Sequence, residues 1–181
     1  MATTGNKHAN RSAETRRRVI KAAQKLYAER SIDSVSLNEI TVAAGQKNRN
    51  ALQYHFGNKE GLIQAILDSH ADHVAKLRQD YAAKDDLSAL PPNEAAARLL
   101  VTPVGDYIKN NPGGVHYVKI LSQLAALNSQ ETNPGARSGL SFRQVPQLEN
   151  FVGKATSHLG EAERRRRLFL AVSITFHSIA D

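Results

Sequence analysis

The chain has no cysteine, no tryptophan and one methionine. Without cysteine there is no disulfide, no thiolate metal site and no thiol nucleophile. No apolar run approaches the roughly 18 residues that a bilayer-crossing helix requires. The N-terminal stretch MATTGNKHANRSAETRRR lacks the apolar segment of a secretory signal. A cytoplasmic location without a membrane partner is therefore expected. Phosphate loops, H-E-x-x-H and Ser/His/Asp groupings are also missing, so neither an enzyme nor a cofactor is expected. Strand-like alternation, internal repeats and low-complexity tracts are absent too.

What is present suffices for a core: 181 residues, 41% of them hydrophobic. Charge is unevenly placed. The chain carries +7, and residues 1–60 hold 11 basic against 5 acidic side chains. Residues 61–181 are close to neutral, with 13 against 12. A basic segment beside a neutral one points to a polyanion-binding module joined to something else.

The periodicity is helical throughout, and the spacing predicts an all-α chain. Val19, Ala22, Ala23, Leu26 and Tyr27 share one side of a helix over 13–30, with Ser12 as its N-cap. Ser36-Leu37-Asn38-Glu39 fits a capping box, followed by a short helix burying Leu37, Ile40 and Ala44 and ended by Gly45. A second short helix is expected over about 48–55 with Leu52 inward. Asn58 then caps a long helix to about Tyr81, lined by Leu62, Ile66, Leu67, Val74, Leu77 and Tyr81. Four more helices are expected near 94–110, 115–128, 142–159 and 161–181, separated by Pro- and Gly-containing turns, with Pro103 and Pro146 kinking two of them or shifting their starts. Helical spacing runs almost to Asp181 without a stop signal, so a native chain continuing beyond it is expected.

Two short helices joined by a glycine turn and preceded by a longer one outline a helix-turn-helix. Its second helix enters the major groove and needs long, polar, hydrogen-bonding side chains. Lys47, Asn48, Arg49, Asn50, Gln53, Tyr54 and His55 supply them. Arg and Lys suit guanine, Asn and Gln suit adenine, and Tyr54, His55 and Lys59 suit phosphate. Arg17 and Arg18 add charge near the first helix start, and the helix N-terminus at Ser36 adds backbone N–H donors.

The stretch from Arg18 to Leu62, above all SLNEITVAAGQKNRNALQYHFGNKEGL, resembles the DNA-binding domain of TetR/AcrR-family transcriptional repressors. The resemblance implies that Tyr54 and His55 contact DNA backbone, that Lys59 binds phosphate, and that Phe56 packs between the short helices and the long one. It implies that residues 1–60 are a DNA-binding domain and 61–181 a helical ligand-binding and dimerisation domain. The partners it implies are a pseudo-palindromic double-stranded operator, a second copy of the chain and a small-molecule inducer. Two features depart from the family: six residues rather than five separate Gly45 from Leu52, and Ser31 stands where glycine is common after the first helix.

Candidates beyond the reading head rest on weaker patterns. Tyr107, Tyr117 and Phe151 are taken as pocket-lining aromatics. Phe169, Val172 and Phe176, in a stripe with Leu168 and Ile179, are taken as a dimer interface rimmed by Arg164–Arg167. Two alternatives stand beside the inducible repressor: a DNA-binding regulator without an inducer, and a helical enzyme or metal-binding protein using His70 and His73. For the metal reading the sequence offers no third ligand.

Overall fold

A computed structural model describes residues 3–47, 50–84, 86–127, 140 and 146–180. The described residues form helices α1 (Thr3–Glu29), α2 (Leu37–Ala43), α3 (Ala51–Phe56), α4 (Lys59–Lys84), α5 (Pro92–Asn110), α6 (Gly114–Leu127), α7 (Pro146–Ala155) and α8 (Glu161–Ala180), with a short 3-10 turn at Leu87–Ala89. The fold is all-α, a three-helix N-terminal unit followed by a helical C-terminal region.

Helix α1 begins well before the expected start at residue 13. Ser12 therefore lies inside the helix and does not cap it. Nothing between Lys7 and Arg18 breaks a helix: there is no proline or glycine, and Arg17 pairs with Glu14 one turn earlier at 2.8 Å. The stripe of Val19, Ala23 and Tyr27 is fully buried, with Ala22 and Leu26 packed beside it.

Helix α2 starts as expected. Ser36 Oγ accepts from the Glu39 backbone N–H at 3.2 Å, and the Glu39 carboxylate accepts from Ser36 N–H at 2.9 Å. It ends in a Schellman turn. Gly45 N–H donates to Val42 O, Gln46 N–H donates to Thr41 O, and Gly45 takes φ 66°, where a Cβ is penalised. Ser31 avoids that conformation after α1: its hydroxyl accepts from Ser34 N–H at 3.1 Å, and no described non-glycine residue has positive φ. Helix α3 starts at Ala51, later than the expected 48.

Helix α4 buries Leu62, Ile63, Ile66, Leu67 and Val74, and one apolar core runs from α1 through α4 and α6 to Phe176 of α8. A smaller cluster of Leu87, Ala95 and Leu99 packs with Tyr81, Leu148 and Phe151. Helix α5 runs through the buried Pro103 as one span, whereas Pro146 sets the first residue of α7. No helix among the described residues is long and apolar enough to cross a membrane.

Candidate nucleic-acid interface

Helix α3 is held by its ends and one inner side. Leu52 is buried and Phe56 packs partly against the core, while Gln53 and Tyr54 point outward. Tyr54 is 83% exposed, and its ring meets His55 edge-on at 5.1 Å. An aromatic ring left this open beside polar neighbours is suited to pack against a partner. Val42, 70% exposed on α2, is the other large apolar side chain in this region left open.

The turn from α3 into α4 is crowded. Gly57 takes φ 75°, Asn58 Oδ1 accepts from Gly61 N–H at 2.8 Å, and a Cβ at Gly61 would lie 2.0 Å from the Phe56 carbonyl oxygen. This approach fixes α3 rigidly on the start of α4. Lys59 is half-buried there: its Nζ donates to Val35 O at 3.0 Å and lies 5.8 Å from the Tyr27 ring centre. The ammonium keeps further donors, and its charge sits beside both short helices.

Among the remaining candidates, Lys47 and Asn50 lie in the turn ahead of α3 and are exposed, whereas Asn48 and Arg49 lie outside the described residues. Arg17 and Arg18 are both exposed. Ser36 spends its hydroxyl on the cap. Glu39, which completes the box, is held down near 2 by the Ser36 N–H and then by Arg30. Arg16 emerges as an additional site residue, its guanidinium 4.9 Å from the Phe56 ring centre and its Nη1 buried without a partner among the described residues. Helical register was the available signal, since Arg16 precedes Val19 by three residues and Ala23 by seven.

Long-range hydrogen bonds tie this unit to the helices behind it. Gln24 Nε2 donates to Gly113 O at 2.9 Å. Gln123 Nε2 donates to Tyr27 O at 2.8 Å, and its Oε1 accepts from Ile32 N–H at 2.7 Å. One glutamine of α6 thus closes both the last turn of α1 and the loop to α2.

Tyr107 and Tyr117 come together, 6.0 Å apart and edge-on, around the buried His70. The Tyr107 hydroxyl bonds His70 Nδ1, and Tyr117 stacks on the imidazole at 4.5 Å and 21°. Phe151 is elsewhere, in the smaller α5–α7 cluster. The described residues contain no grouping of three metal-ligating side chains, and His70 Nδ1 is engaged by tyrosine. On α8, Phe176 is only 8% exposed and Val172 packs on the same core, so both face the chain's own interior. Leu168, which belongs to the expected stripe, Leu170 and Ile174 are the open large apolar positions, with Phe169 half-buried.

Burial holds His70 neutral, pushing its pKa from 6.5 down to about 4, with the neighbouring charge of His73 as the smaller cause. The unfolded chain therefore takes up this proton first as pH falls. Stability from this group is intact above 6.5, declines from 6.5 to about 4, and levels off below that. The acid-limit loss is about 3 kcal/mol. Urea unfolding of His70→Gln should show a smaller drop across that window than the parent chain; an equal drop would assign the pH dependence elsewhere.

A capped short helix, a Schellman turn and a second short helix presenting Gln53 and Tyr54 form a helix-turn-helix of the DNA-binding kind. Residues 19–66 match the family model for bacterial regulatory proteins of the tetR family. This part of the chain is a TetR-family DNA-binding domain. The transcriptional regulator TtgR of Pseudomonas putida is 36% identical over 80 residues, 42% of this chain and 38% of the relative. The matched stretch thus spans less than half of that relative. The transcriptional repressor NicS of Pseudomonas putida is 29% identical over 168 residues, covering 89% of this chain and 68% of NicS. The crystal structure of the multidrug binding protein EbrR complexed with imidazole shares the fold at TM-score 0.50 and 20% identity, over 91% of this chain and 79% of that one.

Proposed function

We propose that the protein is a dimeric transcriptional repressor that binds a pseudo-palindromic operator and leaves it when a small molecule occupies its C-terminal helices. In this reading residues 1–60 contact DNA and 61–181 bind the inducer and the second copy. The observation that carries it is the exposed face of α3, with Tyr54 open to solvent on a helix locked to α4 through Gly61. Tyr54, His55, Lys59, Arg17 and Arg18 address phosphate. Lys47, Asn48, Arg49, Asn50 and Gln53 address bases.

One reading head contacts too few bases to select a genomic site, which favours two heads on two half-sites. Leu170 and Ile174 give α8 an open apolar strip for the second copy. Gln24 and Gln123 join the reading head to the turn before α6 and to α6 itself, so a ligand that prefers a shifted α6 also prefers a shifted head. That supports release over constitutive binding. The metal-protein alternative lacks support, with His70 Nδ1 bonded to Tyr107.

Affinity for duplex DNA should fall steeply with salt, because the basic side chains of the head displace counterions from phosphate. With about five phosphate contacts, raising salt from 50 to 200 mM should cost roughly two to three orders of magnitude. A dissociation constant that stays flat across that titration would contradict the module. Tyr54→Ala should weaken specific and random duplexes alike while leaving stability unchanged.

A further inference from the structure

Helix α1 is longer than the domain it serves. Its inward side ends at Arg16, over the Phe56 ring, and residues 9–14 ahead of it are exposed on every side of the helix. A helix packed on a neighbour buries a side chain every three or four residues, and one packed on nothing is marginal in water. Thr3–Thr15 thus extend α1 by about 20 Å as a helix that the chain itself leaves uncovered from residue 9 to 14.

The direction of this extension follows from three contacts. Gln24 bonds the turn before α6 and Tyr27 bonds α6, whereas Arg16 lies over Phe56 at the end of α3. The axis of α1 therefore runs from the C-terminal helices toward α3, and what precedes Arg16 projects past α3. Its charge is of one sign. Residues 11–18 carry four arginines and one glutamate, and Arg17 pairs with that Glu14 at 2.8 Å. Arg11 and Arg18 are seven positions apart, hence on one side of the helix, and they line one open groove with Asn10, Glu14 and Thr15. Both arginines are exposed, and no described carboxylate pairs with either.

We infer that the N-terminal extension of α1 is a second DNA contact, lying along the phosphate backbone outside the half-site that α3 reads. Arg11 and Arg18 stand about 10 Å apart along the helix, the axial span of roughly three phosphates on one strand. Each guanidinium presents a fork of donors that matches phosphate oxygens, and Asn10 and Thr15 add uncharged donors beside them. The extension is continuous with the reading head and leaves it on the α3 side, which favours the duplex over any other polyanion. The inference adds a contact to the proposed DNA-binding reading and rests on it.

The test uses the duplex that the chain selects from a random pool, prepared in two lengths. One ends at the outer edges of the half-sites, and the other carries roughly eight further base pairs on each side. At about 50 mM salt the parent chain should bind the longer duplex roughly tenfold more tightly, and ethylation of phosphates outside the half-sites should remove that gain. Arg11→Gln should keep the parent's urea midpoint yet bind both lengths alike. On the longer duplex its slope of log affinity against log salt should be shallower by about one for each copy bound. Ala13→Pro lets α1 begin at the proline, where no N–H is needed, and releases what precedes it from the helix. It should lose the length gain although every arginine remains. Equal binding of both lengths by the parent chain would overturn the inference and leave the two-headed reading intact. A gain undiminished in Arg11→Gln, or kept by Ala13→Pro, would also overturn it. Phosphatidylglycerol vesicles that bind the parent chain and not Arg11→Gln, without any length gain on DNA, would give the extension to a membrane surface instead. Failure to bind any duplex at low salt would overturn the DNA-binding reading itself, and the inference with it.

Discussion

Gly61→Ala is expected to destabilise the protein by roughly 3 kcal/mol and to abolish tight DNA binding with it. The new Cβ would sit 2.0 Å from the Phe56 carbonyl oxygen, far inside any real contact, and the obstacle is backbone with no flexible end to swing away. Relief requires α3 and α4 to part by about 1 Å, at the high end of what overpacking costs. Parting them also disturbs the Asn58 N–H to Phe56 O bond at 2.9 Å and the Asn58 cap on Gly61. Gly153 is the internal control. A Cβ there meets nothing within 4 Å, so Gly153→Ala in α7 should be neutral or stabilising by about 0.5–1 kcal/mol. Urea midpoints for the two variants decide it: a Gly61→Ala midpoint equal to the parent's would show that the junction yields freely.

The second large effect separates the two sides of α8. Phe176→Asp places a carboxylate in the shared core, where Phe176 is 8% exposed, and should cost about 4 kcal/mol or more. This variant reports on folding. Ile174→Asp, at a position 64% exposed, should leave monomer stability within about 0.5 kcal/mol while lowering self-association. Sedimentation beside urea unfolding distinguishes them. A folded Phe176→Asp chain with unchanged stability would contradict the core placement. An Ile174→Asp chain that still dimerises like the parent would remove the α8 strip from the interface.

How far the fold could be read from the sequence depended on the reach of each interaction. Ser36, Glu39 and Gly45 were legible because a capping box and a Schellman turn are closed by residues three to five apart. Ser12 misled because a capping residue marks a helix start only where something ends the preceding backbone, and nothing before it does. The start of α3 was misplaced because pattern alone does not say whether the turn or the helix takes up an additional residue. Along α8, periodicity groups Phe169, Val172 and Phe176 on one side, yet it carries no information about whether the chain itself or a partner covers that side.

The candidate interface divides the same way. The outward residues of α3 follow from Leu52 and Phe56 turning inward, which is local. Arg16 over Phe56, and the glutamines that reach Gly113, Tyr27 and Ile32, join residues 40 to 96 positions apart. Spacing rules do not extend to such pairs. Tyr107 and Tyr117 were picked for being aromatic. Their meeting at His70 depends on how α4, α5 and α6 cross.

Selection of bound duplexes from a random pool by the 181-residue chain tests the central claim most directly. Two identical reading heads should enrich an inverted repeat whose half-site centres fall a whole number of helical turns apart, about 10 base pairs or a multiple. The Gly61→Ala chain should enrich nothing. Enrichment of a single unrepeated site would contradict the two-headed arrangement, and a pool that stays random at low salt would contradict sequence-specific DNA binding by this protein.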